Sequence, residues 1–143
     1  MAGDLGGAVE AFRRGLAEAA PGGPVEVQLF LGYVMLARAH VPSAGEARRV
    51  LRDPPLRASG ALADCALAAA TAYDGFLFGT PAPAVLDAGA LALAGDVLLE
   101  AEGSAAQAFF LTTWALAGVD GFDEAEAALD GAFERAVRNG SLL

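Results

Sequence analysis

The chain has 143 residues, 55% of them hydrophobic, and a formal net charge of −9 at pH 7. Lysine is absent, and the nine basic residues are all arginine. This charge argues against a nucleic-acid interface, which needs clustered positive charge. The missing lysine excludes a phosphate-binding loop of the G-x-x-x-x-G-K-[ST] type.

Apolar residues recur with helical spacing along most of the chain, and no segment has the sustained alternation of a β-strand. Prolines and glycines separate the helical segments, and the short connections favour antiparallel neighbours. The sequence predicts about seven helices: Leu5 to Ala20, Val25 to Ala39, Ser43 to Arg52, Ser59 to Phe78, Ala84 to Ala101, Gly103 to Leu116, and a last one from Phe122 that stops at Asn139-Gly140.

The first and last predicted helices carry the same apolar pattern at an offset of 117 residues, which is three times 39. A period of about 39 residues is close to that of helical-hairpin repeats. Such hairpins cannot bury their apolar faces alone and must stack on neighbours. We therefore expect an all-α fold, a right-handed stack of antiparallel helix pairs, in a single helical-repeat domain over residues 1–143. The aligned pairs are Leu5 with Phe122, Ala8 with Ala125, Phe12 with Leu129, Leu16 with Phe133, and Ala19 with Ala136.

Two stretches resemble known helical-repeat proteins. The stretch AGDLGGAVEAFRRGLAEA, from Ala2, resembles the second helix of a tetratricopeptide repeat (TPR). The stretch AAQAFFLTTWALAGVDGFDEAEAALDGAFERAVRNGSLL, from Ala105, resembles the helical-repeat arm of large ATP-binding LuxR-type transcriptional regulators. In that family a nucleotide-binding region precedes the arm and a helix-turn-helix domain follows it. No nucleotide-binding motif is present here, so that chemistry transfers to no residue of this chain.

The resemblance implies a non-catalytic scaffold for protein–protein interaction, without a cofactor, inside a transcriptional regulator. A stand-alone TPR-like adaptor, which binds a peptide or helix on its concave face, is the alternative. In either case, partner contacts are expected on the helices that line the concave side, at Tyr33, Arg38 and Tyr73. A small helical enzyme or ligand carrier is a third class.

The ends of the sequence predict unfinished repeats. Ser43 with Glu46 fits a capping box at the third helix, whereas Ser141 would cap a further helix of which only the first turn is present. We therefore expect a segment of a longer repeat array. Its uncapped terminal helices would bind a protein partner or self-associate, through Phe12 and Leu16 at one end and through Leu129 and Phe133 at the other.

Few residues could carry chemistry. His40 and Cys65 are the only histidine and cysteine, whereas a metal site needs three or four ligands and a thiol nucleophile needs a nearby base. We expect neither a catalytic nor a metal site. The lone cysteine and the lack of a signal peptide predict a cytoplasmic protein.

Aromatic residues cluster in the sixth predicted helix. Phe109, Phe110 and Trp114 lie in the uncharged run from Gly103 to Val119, which is shorter than a membrane span requires. We therefore expect a buried helix, with these three side chains in the core, and no contact with a membrane.

Overall fold

The computed structural model describes residues 4–101 and 104–140. Within these residues the chain forms eight α-helices, and no β-strand occurs among them. The predicted all-α class is therefore confirmed. The helices are α1 (Leu5–Glu18), α2 (Pro24–Ala39), α3 (Ala44–Arg52), α4 (Ala61–Phe78), α5 (Ala82–Ala92), α6 (Val97–Glu100), α7 (Ser104–Ala117) and α8 (Phe122–Arg138).

Proline and glycine set several helix ends where the sequence predicts them. Pro24 is the first residue of α2, where its missing N–H costs no hydrogen bond. Gly79 follows α4 with a φ of +73°, which glycine adopts without strain. The predicted stop at Asn139-Gly140 is confirmed, because α8 ends at Arg138 and Gly140 has a φ of +67°.

Two local predictions are wrong, although the predicted start of α3 after Ser43 is confirmed. The predicted fifth helix is divided into α5 and α6, because Gly95 and Asp96 have φ values of +65° and +60° and interrupt the helical backbone. The predicted capping box at α3 does not form with any described residue, because the hydroxyl of Ser43 is 2.8 Å from Nδ1 of His40 instead. The turn predicted from Ser141 lies outside the described residues.

The core is centred on α2 and α4. α4 packs against α2, α5 and α7, and α1 covers another side of α2. Phe30 and Leu31 of α2 are fully buried, whereas α4 contributes mainly small residues such as Ala66 and Ala70. Small residues allow the neighbouring helices to approach α4 closely, so the large side chains of α2 fill most of the core volume.

Large side chains of one helix pack against glycines of another segment. A Cβ atom on Gly32 would lie 2.1 Å from Cε1 of Phe12, so the Phe12 ring occupies this space against α2. A Cβ atom on Gly118 would lie 2.2 Å from Cε2 of Phe76. These separations are far below van der Waals contact, so the packing requires glycine at both positions. With its neighbour Leu16, Phe12 is half-buried against the core.

α4 is long and apolar enough to cross a membrane by length and composition alone. Eight of its residues are buried inside the fold, and it packs on five other helices. The pair α5 and α6 also passes the composition test but is bent by 44°. Burial against neighbouring helices is sufficient to explain why α4 is apolar around most of its circumference.

Candidate functional site

The predicted partner-binding residues lie on the two central helices. Tyr33 and Arg38 are buried in α2, and Tyr73 is half-buried in α4. Burial raises the pKa of Tyr73, and the nearby positive charge of Arg38 opposes this rise. Tyr33 is influenced instead by Glu46 of α3. The structure therefore brings Arg38 and Tyr73 together and places Tyr33 in a separate contact.

Arg38 connects three helices. Its Nη1 donates a hydrogen bond of 2.5 Å to the carbonyl oxygen of Ala44 in α3, and its guanidinium forms an ion pair with Asp74 of α4. Its Cζ lies 3.5 Å from the centre of the Phe78 ring, and Cζ of Arg48 lies 5.0 Å from the same ring. Burial lowers the pKa of Arg38, and the carboxylate of Asp74 opposes this effect. These contacts give Arg38 a structural role in packing α2, α3 and α4.

Tyr33 borders a cavity of about 290 Å³ between α1, α2 and α3. Its hydroxyl is buried and has no hydrogen-bond partner among the residues described. Burial raises the pKa of Tyr33 to about 12, and the negative charge of Glu46 adds to the rise. Arg13 and Arg57 also line the cavity, but both are ion-paired, Arg13 with Glu10 and Arg57 with Glu26.

Glu26 is a fully buried carboxylate that no sequence motif indicates. Its Oε2 accepts hydrogen bonds of 2.9 Å from the backbone N–H groups of Gly22 and Ala58, and its Oε1 accepts one of 3.0 Å from Arg57 Nε. Burial alone would raise the pKa of Glu26, but these hydrogen bonds outweigh it and lower the pKa. The available sequence signal is a single carboxylate at the start of a helix that is otherwise uncharged as far as Arg38.

His40 and Cys65 occupy separate environments. Nδ1 of His40 is 2.8 Å from the hydroxyl of Ser43. Cys65 is buried in α4, and its thiol lies 3.5 Å from the carbonyl oxygen of Leu91, to which it can donate a weak hydrogen bond. Burial raises the pKa of Cys65, and the charge of Asp64 adds to this. Within the described residues, no group of three or more His, Cys, Asp or Glu side chains is arranged to hold a metal ion.

The largest departure from the predicted core lies in α7. Phe109 is buried, as predicted, but Phe110 and Trp114 are 56% and 54% exposed, so the core prediction for these two is wrong. Successive helical residues are rotated by about 100°, and the neighbours of α7 cover the side that carries Phe109 but not the side that carries Phe110 and Trp114. We call the exposed surface formed by α7 and α8 the C-terminal apolar face. Its large residues are Phe110, Trp114, Phe122, Leu129, Phe133 and Val137.

α8 turns its small residues inwards and its large ones outwards. Ala125 is buried, and Ala128 and Ala132 pack half-buried against the core. Leu129 and Phe133 remain 43% and 61% exposed. Large apolar side chains exposed close together on one helix often mark an interaction site. The apolar stripe of α8 is therefore available to an additional element.

A groove of about 540 Å³ runs across this face between α6, α7 and α8. Leu99 of α6 and Phe110 of α7 form one side, and Leu129 and Phe133 of α8 form the other. Asp130 is the charged residue in its lining. The groove is open and mainly apolar, which suits the side chains of a helix better than a small polar ligand.

Arg135 fixes the position of α6 beside this groove. Its Nη1 lies 2.6 Å from Oε1 of Glu100, and its Nη2 forms an ion pair with Asp96. Arg138 makes a longer contact of 3.6 Å with Glu134, and both side chains are largely exposed. One of the two arginines of α8 is thus paired with α6 and its preceding turn within the fold.

The geometry therefore offers two structural clusters of buried charge, around Glu26 and around Arg38, and one exposed face of a different character. The clusters are built from mutually paired groups within the fold. The C-terminal apolar face presents large side chains that are each at least 43% exposed. Comparisons of the chain with protein-family models, with curated proteins and with solved structures found no match.

Proposed function

We propose that this chain is a non-catalytic scaffold that binds another protein through its C-terminal apolar face. The observation that supports this is the orientation of α8, which buries alanines and leaves Leu129 and Phe133 exposed. Covering a large apolar side chain contributes roughly 1.5–3 kcal/mol, so several of them provide a substantial driving force for association. The resemblance to the repeat arm of LuxR-type regulators supports a place for this scaffold in a transcriptional regulator.

A concave-face adaptor that uses Tyr33, Arg38 and Tyr73 is less well supported. Tyr33 and Arg38 have exposed fractions of 2% and 5%, so their side chains offer little surface to a partner. Interface energy is usually concentrated in side chains that become buried on binding. The exposed residues of α7 and α8 meet that condition, so we place the interaction there.

Site-specific photo-crosslinking in the source cells tests this function. A crosslinking amino acid replaces Glu126, beside the face, or Asp87 on α5 as the control; both positions are exposed. We expect a discrete protein adduct from position 126 but not from 87. The identified partner is then purified and should bind the wild-type chain but not a Leu129→Ser/Phe133→Ser variant. Binding that is unchanged in this variant, or equal adducts from both positions, would show that the face is not the interface.

A further inference from the structure

The charges around the C-terminal apolar face restrict what can bind there. α8 carries five carboxylates and two arginines, and Arg135 is already paired with Asp96 and Glu100. Glu126 and Asp130 are exposed one helical turn apart on the same side of α8, and Asp130 lines the groove itself. An incoming surface must therefore be apolar at its centre and positively charged, or at least not acidic, along the edge that meets these carboxylates.

A second copy of this chain would offer an apolar centre, but its edge would be acidic rather than positively charged. A two-fold dimer places the same patch of both subunits in contact. Asp130 lies at the midpoint of α8 (Phe122–Arg138), so antiparallel packing of two α8 helices about their centres would bring two Asp130 carboxylates together. Parallel packing would instead align the acidic first halves of both helices. The parallel arrangement opposes like charges along the first halves of both helices. The antiparallel arrangement does so at its centre, and only Arg138 at each end would meet an acidic residue of the other copy, Asp123.

The shape of the face favours a single helix as its occupant. Phe122 and Val137 mark the ends of the apolar stripe, and the 15 helical steps between them span about 22 Å. This length matches about four turns of a partner helix, whose apolar residues would recur at i, i+3, i+4 and i+7. Phe110 and Leu99 form the opposite wall of the groove, so the partner helix would lie between α8 and the α6–α7 side.

We infer that the C-terminal apolar face binds an amphipathic helix with basic residues along one edge of its apolar stripe, an inference that rests on the function proposed above. Leu129 and Phe133 would contact the apolar stripe of the partner. Glu126 and Asp130 would lie beside its arginine or lysine side chains. The apolar contacts provide affinity, and the carboxylates select against acidic helices and against a second copy of the chain.

Two synthetic peptides of about 18 residues, long enough for the 22 Å stripe, test the inference. Both carry the same leucines, but one has arginine and the other glutamate at the flanking positions. We expect the arginine peptide to bind the full chain and the glutamate peptide to bind about tenfold more weakly or not at all. Raising NaCl from about 0.05 M to about 0.5 M should reduce this difference, because exposed charge pairs are screened. Fluorescence anisotropy of labelled peptide measures both effects.

Charge-reversed variants separate local from general attraction. The double variant Glu126→Arg/Asp130→Arg should bind the glutamate peptide better than the arginine peptide. The control Glu18→Arg/Asp87→Arg makes the same charge change at exposed positions of α1 and α5 and should keep the wild-type preference. Phe133→Ser should weaken the arginine peptide roughly 30-fold, as expected for a central apolar contact. Circular dichroism establishes that each variant is folded.

Several results would overturn the inference, and they differ from failure of the proposed function. Equal binding of the two peptides, or an unchanged preference in Glu126→Arg/Asp130→Arg, would exclude selection by charge. A dimer in sedimentation that Phe133→Ser dissociates would make a second copy the occupant. If neither peptide binds but position 126 still crosslinks to an identified partner, the inference fails and the proposed function stands. If peptide binding and the crosslink are both absent, both proposals fail.

Discussion

Nε of Arg57 donates a hydrogen bond of 3.0 Å to Oε1 of Glu26, although 31 positions separate the two residues. The other carboxylate oxygen accepts backbone N–H groups from the turn before α2, at Gly22, and from the segment before α4, at Ala58. A single buried side chain therefore holds two connecting segments against the start of α2. These connections have few large apolar residues, so hydrogen bonds to the carboxylate, rather than core packing, hold them in place.

We expect Glu26→Gln to lower the free energy of unfolding by about 2–4 kcal/mol, since a buried network loses its charge and one acceptor becomes a donor. Glu10→Gln is the matched control, because Glu10 pairs with Arg13 at the surface and should change stability by less than about 1 kcal/mol. Urea unfolding followed by circular dichroism measures both variants. Equal losses would show that the burial of Glu26 has no special energetic importance.

The lowered pKa of Glu26 also predicts acid sensitivity. The carboxylate titrates at lower pH in the folded chain than in the unfolded chain, so the unfolded state binds more protons as the pH falls. The stabilisation by Glu26 is therefore present above a pH of about 4.5, near the unfolded pKa, and is lost as the pH decreases through the folded pKa. The difference in unfolding free energy between wild type and Glu26→Gln should shrink in this range. A constant difference between about pH 6 and pH 3 would contradict this expectation.

Local sequence signals account for most helix ends, but not for contacts between distant residues. Glu26 depends on partners 31 and 32 positions away, and nothing near it in the sequence indicates them. The break between α5 and α6 has a similar origin. Asp96 has a positive φ, which is uncommon outside glycine, and Arg135 contacts its carboxylate from 39 positions away. The helical pattern of the sequence continues through Gly95 and Asp96, so the pattern alone does not predict the break.

Substitution of glycine by alanine should change the stability of the fold in opposite directions at two positions with different surroundings. At Gly32, an added Cβ atom would lie 2.1 Å from the Phe12 ring, so Gly32→Ala should destabilise the fold by about 1–3 kcal/mol. At Gly131 of α8, no atom lies within 4 Å of the added Cβ among the residues described. Gly131→Ala should therefore stabilise by about 0.4–1 kcal/mol, because alanine favours helix. Thermal unfolding of both variants is the measurement, and a stabilising Gly32→Ala would mean that Phe12 does not pack against α2.

Tyr33 should make the fold sensitive to high pH. Its pKa is raised to about 12 in the folded chain, compared with about 10 in an unfolded chain. The stabilisation that depends on its protonated hydroxyl, on the order of 2 kcal/mol, is present below about pH 10. It is lost between about pH 10 and pH 12, because the unfolded chain releases this proton at lower pH than the folded chain. Tyr33→Phe keeps the ring and should remove this part of the alkaline destabilisation.

Tyr33→Phe also has a clear expectation at neutral pH. The hydroxyl is buried near Glu46 but makes no hydrogen bond of regular geometry with the described residues, so its removal should leave the unfolding free energy unchanged or raise it by up to about 1 kcal/mol. Urea unfolding at about pH 7 and again above about pH 10 measures both effects. A loss of more than about 1 kcal/mol at neutral pH would mean that the hydroxyl makes a stabilising bond in solution.

The repeated pattern in the first and last helices shows that an apolar pattern in the sequence does not by itself predict burial. Phe12 and Leu16 of α1 pack half-buried, with Phe12 against Gly32 of α2. The aligned residues of α8, Leu129 and Phe133, remain exposed. The pattern correctly identifies an amphipathic helix in both cases, but burial depends on whether a neighbouring element covers the apolar side. The same dependence explains why Phe109 is buried while its neighbour Phe110 is not.

The last prediction concerns that exposed side of α8. Phe30 is fully buried, whereas Phe133 is 61% exposed. Phe30→Ala should therefore lower the free energy of unfolding by about 3–5 kcal/mol, as expected when a large core side chain is removed. Phe133→Ala should change it by less than about 0.5 kcal/mol, as for a surface substitution without special contacts.

Urea unfolding of the two variants at several protein concentrations is the measurement. A cost above about 1.5 kcal/mol for Phe133→Ala that does not vary with concentration would mean that Phe133 is packed within the folded chain and unavailable to a partner. A cost that grows with concentration would mean that association covers it, because binding to the folded state stabilises by mass action. If Phe133→Ala leaves stability unchanged but abolishes partner binding, the apolar side of α8 serves recognition and contributes little to the fold.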